Sequence, residues 1–284
     1  NRSSAYMIDA AGKGINVSKV VKKLGDDSIA LGFLGDENKG MYLKQLESYG
    51  LKSDFVFVKG LTRTNVKIFE TNLGICTDIN QKGFDVCLKS IDELIKKVRK
   101  YAKSKDIFIF SGSLPGNCED DIYKELIEIV KEKGATTILD ADGVSLKKGL
   151  EAFPDVVKPN IHELKGLFDV DENNLGSIVC AAKKIISSGI KKVIVSMGEK
   201  GAVFVSKEDV LFAPVYRVEV KSTVGAGDAM VGAIAYSISK GFDDYKTFKL
   251  SCACAAAKVA TEGVRAPEKD DIEKIFDEIH IQSF

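Results

Sequence analysis

The stretch of this chain best suited to chemistry is Ser222-Thr223-Val224-Gly225-Ala226-Gly227-Asp228. It follows an alternating run, 215–220, that reads as a strand, and it leads into 229–239, which reads as a helix packed through small residues. Glycines at such a turn let the backbone approach a ligand closely. The free N–H groups of a helix's first turn, and its dipole, favour an anion. An aspartate there would repel a bound phosphate. It has a purpose if its carboxylate takes a proton from an attacking hydroxyl while the N–H groups hold the transferring phosphoryl charge. The competing explanation is a tight turn with an acid where the helix dipole favours one.

Three further groups of residues could serve such a reaction. Glycines open a second predicted helix in Ala11-Gly12-Lys13-Gly14-Ile15-Asn16, where lysine and asparagine could hold an anion and hydroxyls. Asn160 and Glu163, three apart at a helix start, share a face and suit Mg²⁺ directly or through its waters. They suit equally an N-cap asparagine with an acid in the first turn. Arg63 lies on a polar hairpin (62–70 and 74–80) that could be a lid, as a phosphate clamp or a solvated charge. His162 reads as a helix surface residue. With His280 the only other histidine, a Ser-His-Asp triad or a histidine metal site has little support.

The elements that must position these residues alternate. The start, from Ser4 to Ile8, alternates weakly as in a strand; 28–35 reads as a buried strand, 38–50 as a helix and 55–58 as a strand. Helices at 91–102, 120–133, 161–168 and 177–188 separate strands at 107–110, 136–141 and 192–196. A hairpin (202–205, 210–214) and a helical end (245–261, 269–279) complete the chain. This order implies a mostly parallel sheet covered on both faces, with ligands beyond the carboxyl ends of its strands. The polar, glycine-bearing segments Ser111-Gly112-Ser113, Lys158-Pro159-Asn160, Ser196-Met197-Gly198 and Gly225 to Asp228 fall at those ends.

The 284 residues, 45% of them hydrophobic, suffice for one large α/β domain or two smaller ones. Lys+Arg and Asp+Glu both number 41, which argues against a general nucleic-acid binder. No apolar run approaches a membrane span, and no signal peptide is visible in a sequence that begins at Asn1. Six cysteines without a Cys-x-x-Cys pair read as small buried residues of a reducing cytoplasm. The P-loop pattern, the protein-kinase loops and a Gly-x-Gly-x-x-Gly fingerprint after a strand are absent.

In order, 11–17, Ser111-Gly112-Ser113-Leu114-Pro115, 158–163, 196–201 and 222–228 resemble the motifs of the PfkB (ribokinase-like) sugar kinases, with Ala11 where a second glycine is frequent. Within that family, 62–67 and Thr77-Asp78-Ile79-Asn80 look most like the bacterial 1-phosphofructokinases, with the tagatose-6-phosphate kinases as near relatives. The resemblance implies a ribokinase-like three-layer α/β sandwich with a mostly parallel central sheet and a small β-sheet lid. It implies one domain over 1–284, the lid formed by about 1–10 and 55–80, and a first strand with a sugar-binding aspartate ahead of residue 1. The implied reaction is ATP- and Mg²⁺-dependent phosphorylation of fructose 1-phosphate at its 6-hydroxyl, by a cytoplasmic homodimer joined through the lid, with no nucleic-acid or membrane partner. Tagatose 6-phosphate and fructose 6-phosphate are alternative acceptors, and a non-catalytic sugar-phosphate sensor is the reading from another class. By the same resemblance Asp228 is the base, and Gly225, Ala226 and Gly227 form the anion hole. Gly12 and Asn16 hold sugar hydroxyls with Ser111 nearby, while Arg63, Arg2 and Lys13 hold the sugar's phosphate. Lys158, Asn160 and Glu163 serve ATP phosphates and Mg²⁺, the metal through water, and Ser196, Gly198, Gly201 and Thr223 line the nucleotide site.

Overall fold

Short runs of β-branched and aromatic residues, separated by amphipathic helices, build the centre of the molecule. The computed structural model describes residues 6–70 and 75–284. The first part comprises α1 (Lys13–Lys23), β1 (Ile29–Ala30), β2 (Phe33–Gly35), α2 (Lys39–Ser48), β3 (Lys52–Ser53), β4 (Val56–Val58) and the hairpin of β5 (Asn65–Glu70) and β6 (Ile75–Asn80). Alternation follows: α3 (Leu88–Tyr101), β7 (Ile107–Ser111), α4 (Ile122–Lys131), β8 (Thr136–Asp140), α5 (Gly143–Leu150), β9 (Val156–Val157), α6 (Ile161–Leu167), α7 (Leu175–Ser187) and β10 (Lys192–Ser196). The chain closes with β11 (Ala202–Ser206), β12 (Val210–Ala213), α8 (Ala226–Ser239), α9 (Asp244–Val259), α10 (Lys269–Glu278) and β13 (Gln282–Ser283).

The main sheet runs β13-β12-β11-β10-β9-β8-β7. Strands β7 to β10 are parallel, in the register Ile107↔Thr136, Ile138↔Val156 and Lys192↔Val156; β11 to β13 continue antiparallel. Both faces are covered. On one face Leu139, Val193 and Val203 pack under α3 to α7, with Ile127 of α4 among them, while on the other Ile138, Ile194 and Phe204 pack under α1, α8 and α9, with Phe248 of α9 among them. Each such large apolar side chain removed from water stabilises by about 1.5–3 kcal/mol, which is why the sheet is the rigid part on which a site can be built. Gly232 lets α8 close on α1, because a Cβ there would sit 2.9 Å from Val20. That approach sets the facing starts of the two helices.

Several expectations are corrected. The segment 28–35 is two short strands, paired as β1 with β3 and β2 with β4 outside the main sheet, since Gly32 at φ +145° interrupts the run. Residues 6–10 form no strand, and Tyr6, Met7 and Ile8 are exposed; Arg2 and Ser4 lie outside the described residues. Nor is 215–220 a strand: its alternation has no partner, and Val215 and Val220 are exposed. Helix α8 begins at Ala226, so Asp228 stands inside its first turn rather than ahead of it. The two-residue β13 was too short to signal itself. Of the cysteines whose side chains are described, Cys254 is buried, Cys118 and Cys252 are half-buried, and Cys87 and Cys180 are exposed; these five are free thiols on or beside helices. The hairpin pairs as expected, Val66 against Ile79, with Val66, Ile68 and Ile79 exposed; its turn, 71–74, lies outside the described residues. The outer edge of β7 has no strand partner among the described residues, and a cavity of about 960 Å³ runs along it toward Gly12 and Ser111. No helix among the described residues is long and apolar enough to cross a membrane.

Candidate active site

The carboxyl ends of four adjacent parallel strands meet the first turns of α1 and α8. Strand β7 ends in Ser111 and β8 in Asp140, β9 runs into Lys158-Pro159-Asn160, and β10 ends in Ser196. Asn160 is bridged to Ser196, whose N–H donates to Pro159 O at 3.1 Å. Gly225 caps α8 at φ +82°, a conformation that costs any other common residue about 1–2 kcal/mol. It turns the chain so that Ala226, Gly227 and Asp228 form the first helical turn, where N–H groups lack helical acceptors.

Asp228 is 7% exposed, and its Oδ2 accepts from Asn16 Nδ2 at 2.7 Å. Burial raises its pKa and the Asp140 charge adds to this, while the Asn16 bond, Lys13 and Lys158 pull the other way. The result is a fixed carboxylate with heightened proton affinity, the quality required of a general base. Asn16 Oδ1 and Ser111 Oγ, both buried, have no hydrogen-bond partner among the described residues. Both are therefore available to hydroxyl groups. Gly14 brings α1 to within 3.8 Å of the Ser111 hydroxyl, measured from its would-be Cβ.

A network of charges surrounds the carboxylate. Asp140 is 1% exposed and lies between Lys158 Nζ (3.2 Å) and Lys13 Nζ (3.4 Å). Lys158 Nζ also comes within 3.3 Å of the position a Cβ on Gly227 would take, directly beside the first turn of α8. Burial lowers the pKa of Lys13, but Asp140, Glu163 and Asp228 together raise it, so it stays firmly cationic. Asn160 and Glu163 form a capping box: Asn160 Oδ1 accepts from Glu163 N at 2.9 Å, and Glu163 Oε2 from Asn160 N at 2.8 Å. The structural explanation of that pair is thus realised, and burial raises the Glu163 pKa. A divalent cation fits this set. Among the described residues each Asp140 oxygen meets only an ammonium, Oδ1 that of Lys158 and Oδ2 that of Lys13, and Glu163 is close enough to sense Asp140, Lys13 and Lys158. No cluster of three or more His, Cys, Asp or Glu ligands exists among the described residues. Such a donor set suits Mg²⁺, which keeps waters and takes phosphate oxygens as further ligands.

The predicted residues thus divide. Lys13, Asn16, Lys158, Gly225, Gly227 and Asp228 converge on one point, with Ala226 in the same turn and Ser111 beside it. Gly12 caps α1, and Asn16 N donates to its carbonyl at 2.8 Å. Arg63 is exposed, and its Nη2 donates to Ser113 Oγ at 2.9 Å, which ties the base of the hairpin to the β7 loop. Asn160, Glu163 and Ser196 form the next ring. Gly198 and Gly201 lie farther along the β10–β11 turn, where a Cβ on Gly201 would meet Ala213 O at 2.0 Å. Thr223 is exposed on the loop before α8. Asp140 and Lys258, which close the network, were missed. Asp140 ends a predicted strand of the parallel sheet and could have been found there. Lys258 offers only its oddity as a lysine within an alanine- and cysteine-rich helix.

The sequence matches the family model of pfkB family carbohydrate kinases over residues 1–271. It is 35% identical over 272 residues to the 1-phosphofructokinase of Haemophilus influenzae, covering 95% of this chain and 87% of that one. It is 32% identical over 285 residues to the tagatose-6-phosphate kinase of Staphylococcus epidermidis, covering 99% and 91%. In structure it is similar to phosphofructokinase-2 from Escherichia coli, with a TM-score of 0.92 at 28% identity over 98% of this chain and 90% of that one. The order of the motifs, the ribokinase-like sheet and the match along nearly the whole sequence agree: the chain belongs to the pfkB family of carbohydrate kinases.

Proposed function

We propose that this protein transfers the γ-phosphoryl group of ATP to the 6-hydroxyl of fructose 1-phosphate. The observation that carries the reading is Asp228, a buried carboxylate with a raised pKa, held by Asn16 at the start of an anion-attracting helix turn. Asp228 takes the proton of the acceptor hydroxyl as its oxygen attacks phosphorus, and ADP leaves on the far side. The N–H groups of the α8 first turn and Lys158 stabilise the charge on the transferring group, which is most of what phosphoryl transfer asks of a protein. Gly12, Asn16 and Ser111 take sugar hydroxyls. Lys13 and Arg63 face the sugar's phosphate, and Arg2 is assigned there by resemblance alone. Asp140, Glu163 and Asn160 are the residues that would hold Mg²⁺, which would neutralise the ATP phosphates. Ser196, Gly198, Gly201 and Thr223 are assigned to the nucleotide. The β5–β6 hairpin acts as a lid that excludes water, and its exposed Val66, Ile68 and Ile79 suit pairing with a second copy in a cytoplasmic homodimer.

The acceptor is the finer part of the reading, supported by the 1-phosphofructokinase relatives. Tagatose 6-phosphate is the second reading, because the S. epidermidis relative is nearly as similar. A coupled ADP-release assay with Mg-ATP should rank fructose 1-phosphate, fructose 6-phosphate and tagatose 6-phosphate by kcat/KM. A clear preference for fructose 1-phosphate is expected. Preference for another acceptor moves the substrate and keeps the mechanism, and binding without turnover turns the protein into a sensor.

A further inference from the structure

Lys258 lies in the last turn of α9 and is 2% exposed. A lysine so deeply buried ordinarily has a carboxylate partner. This one forms no ion pair among the described residues. Its Nζ donates instead to two main-chain carbonyls, Gly263 O at 2.9 Å and Thr261 O at 3.3 Å. Its stem runs under the turn that begins α8. Lys258 Cε lies 3.4 Å, Asp228 Oδ2 3.7 Å and Asn16 Nδ2 3.9 Å from the point a Cβ on Gly225 would occupy. The same helix end holds that turn through the main chain, because Val259 O accepts from Lys221 N at 2.9 Å and Ser222 N at 3.1 Å. Burial pulls the Lys258 pKa down to about 8, with Lys19 adding to the fall and Asp228 and Asp9 opposing it.

A lysine that merely caps a helix can reach the last carbonyls from the surface. Burying the ammonium costs more than such a cap returns, so its position calls for a second role. We infer that Lys258 is a built-in cation of the active site, whose ammonium, seated among main-chain carbonyls beneath Gly225, positions the 221–228 turn and places fixed positive potential under the transferring phosphoryl group. The inference rests on the phosphotransferase reading above. Lys258 touches no reacting atom, so it acts as a positioning residue. Its field works in a site shielded from water and bears on charge that develops in the transition state, so its loss should lower kcat more than it raises KM.

Two variants test this. Lys258→Met keeps the apolar stem and removes the charge; Lys258→Ala also opens space for a small cation. With whichever sugar phosphate the wild type uses best, both should lose about ten- to a hundredfold in kcat, with the sugar KM within about twofold. Ammonium chloride should restore part of the loss in Lys258→Ala and none in Lys258→Met, and lithium chloride at equal ionic strength should restore neither. In parallel, calorimetric titration with inorganic phosphate reads the anion site without turnover, and its affinity should fall in both variants. If the wild type turns over none of the sugar phosphates, the kinase reading fails and the phosphate titration alone decides the role of Lys258. Should Lys258→Met not fold, Lys258→Gln takes its place. Folded variants with wild-type kcat and phosphate affinity overturn the inference. So does a lowered melting temperature with unchanged phosphate affinity and no ammonium rescue, which is the result for a helix cap alone.

Discussion

Replacing Asp228 by asparagine isolates the proton transfer from everything else the site does. The side chains are nearly isosteric, and an asparagine oxygen can still accept from Asn16 Nδ2 across the present 2.7 Å. The α8 first turn, Lys158 and Lys13 are untouched, so phosphoryl stabilisation and substrate binding persist. Only the base is lost, and a positioned base contributes about 10²–10⁴-fold, or about 3–5 kcal/mol of activation free energy. We expect kcat to fall by that factor with little change in the KM of either substrate. Stability should move the opposite way. Burial raises the Asp228 pKa, so the folded state favours the protonated acid and is disfavoured as pH rises through that pKa. At neutral pH the wild type therefore carries a buried charge that the variant lacks, and Asp228→Asn should melt at the same temperature or higher. Single-turnover ADP release and thermal melts measure the two effects separately. A variant with near-wild-type kcat removes Asp228 from the mechanism. A variant that loses activity only because it melts early shows that the carboxylate is structural.

Three further perturbations follow from neighbouring contacts. Asn16→Ala removes the hydrogen bond that lowers the Asp228 pKa, so the acid limb of kcat/KM should move to higher pH; a profile that loses amplitude without shifting would separate Asn16 from the base. Lys158→Met leaves Asp140 buried without its closer partner and should cost about 3–5 kcal/mol, read by urea denaturation; a loss below 1 kcal/mol would mean that Lys13 or water compensates. Gly201→Ala would set a methyl group 2.0 Å from Ala213 O and force a residue with φ +91° to take a side chain, so it should destabilise the β10–β11 turn by at least about 1–2 kcal/mol in the same measurement, and a wild-type urea midpoint would contradict that geometry.

What could be read from the sequence was what repeats or punctuates. The alternation from residue 91 onward announced the sheet because each strand had to be apolar on both faces and each helix on one. Gly12 and Gly225 announced their turns because their positive φ admits few other residues. The failures have the same physics in reverse. The alternation at 215–220 satisfies a strand's pattern but finds no neighbouring edge, and periodicity does not report pairing. The break at Gly32 divides 28–35 in two although every residue from Ile29 to Gly35 lacks a polar side chain. Asn160 and Glu163 were assigned two roles that spacing alone does not separate, and the fold realises the capping box while leaving Glu163 within the charge network.

Asp140 and Lys258 escaped notice for a deeper reason, which bears on how the site works. Neither lies in a recognisable motif; each matters through charges brought to it by distant segments. Around the α8 turn, Lys13, Lys158 and Lys258 face Asp140, Glu163 and Asp228, so the formal charges cancel. A site balanced in this way can keep Asp228 ionised beside phosphate, because the lysines offset its repulsion. It can also keep three lysines close together before any anion arrives, because Asp140 holds Lys13 and Lys158 while main-chain carbonyls hold Lys258. Each ionic partner in the network is therefore a condition for the next. Removing one should shift the proton affinity of the others, and such coupling is fixed by the fold rather than by the local sequence.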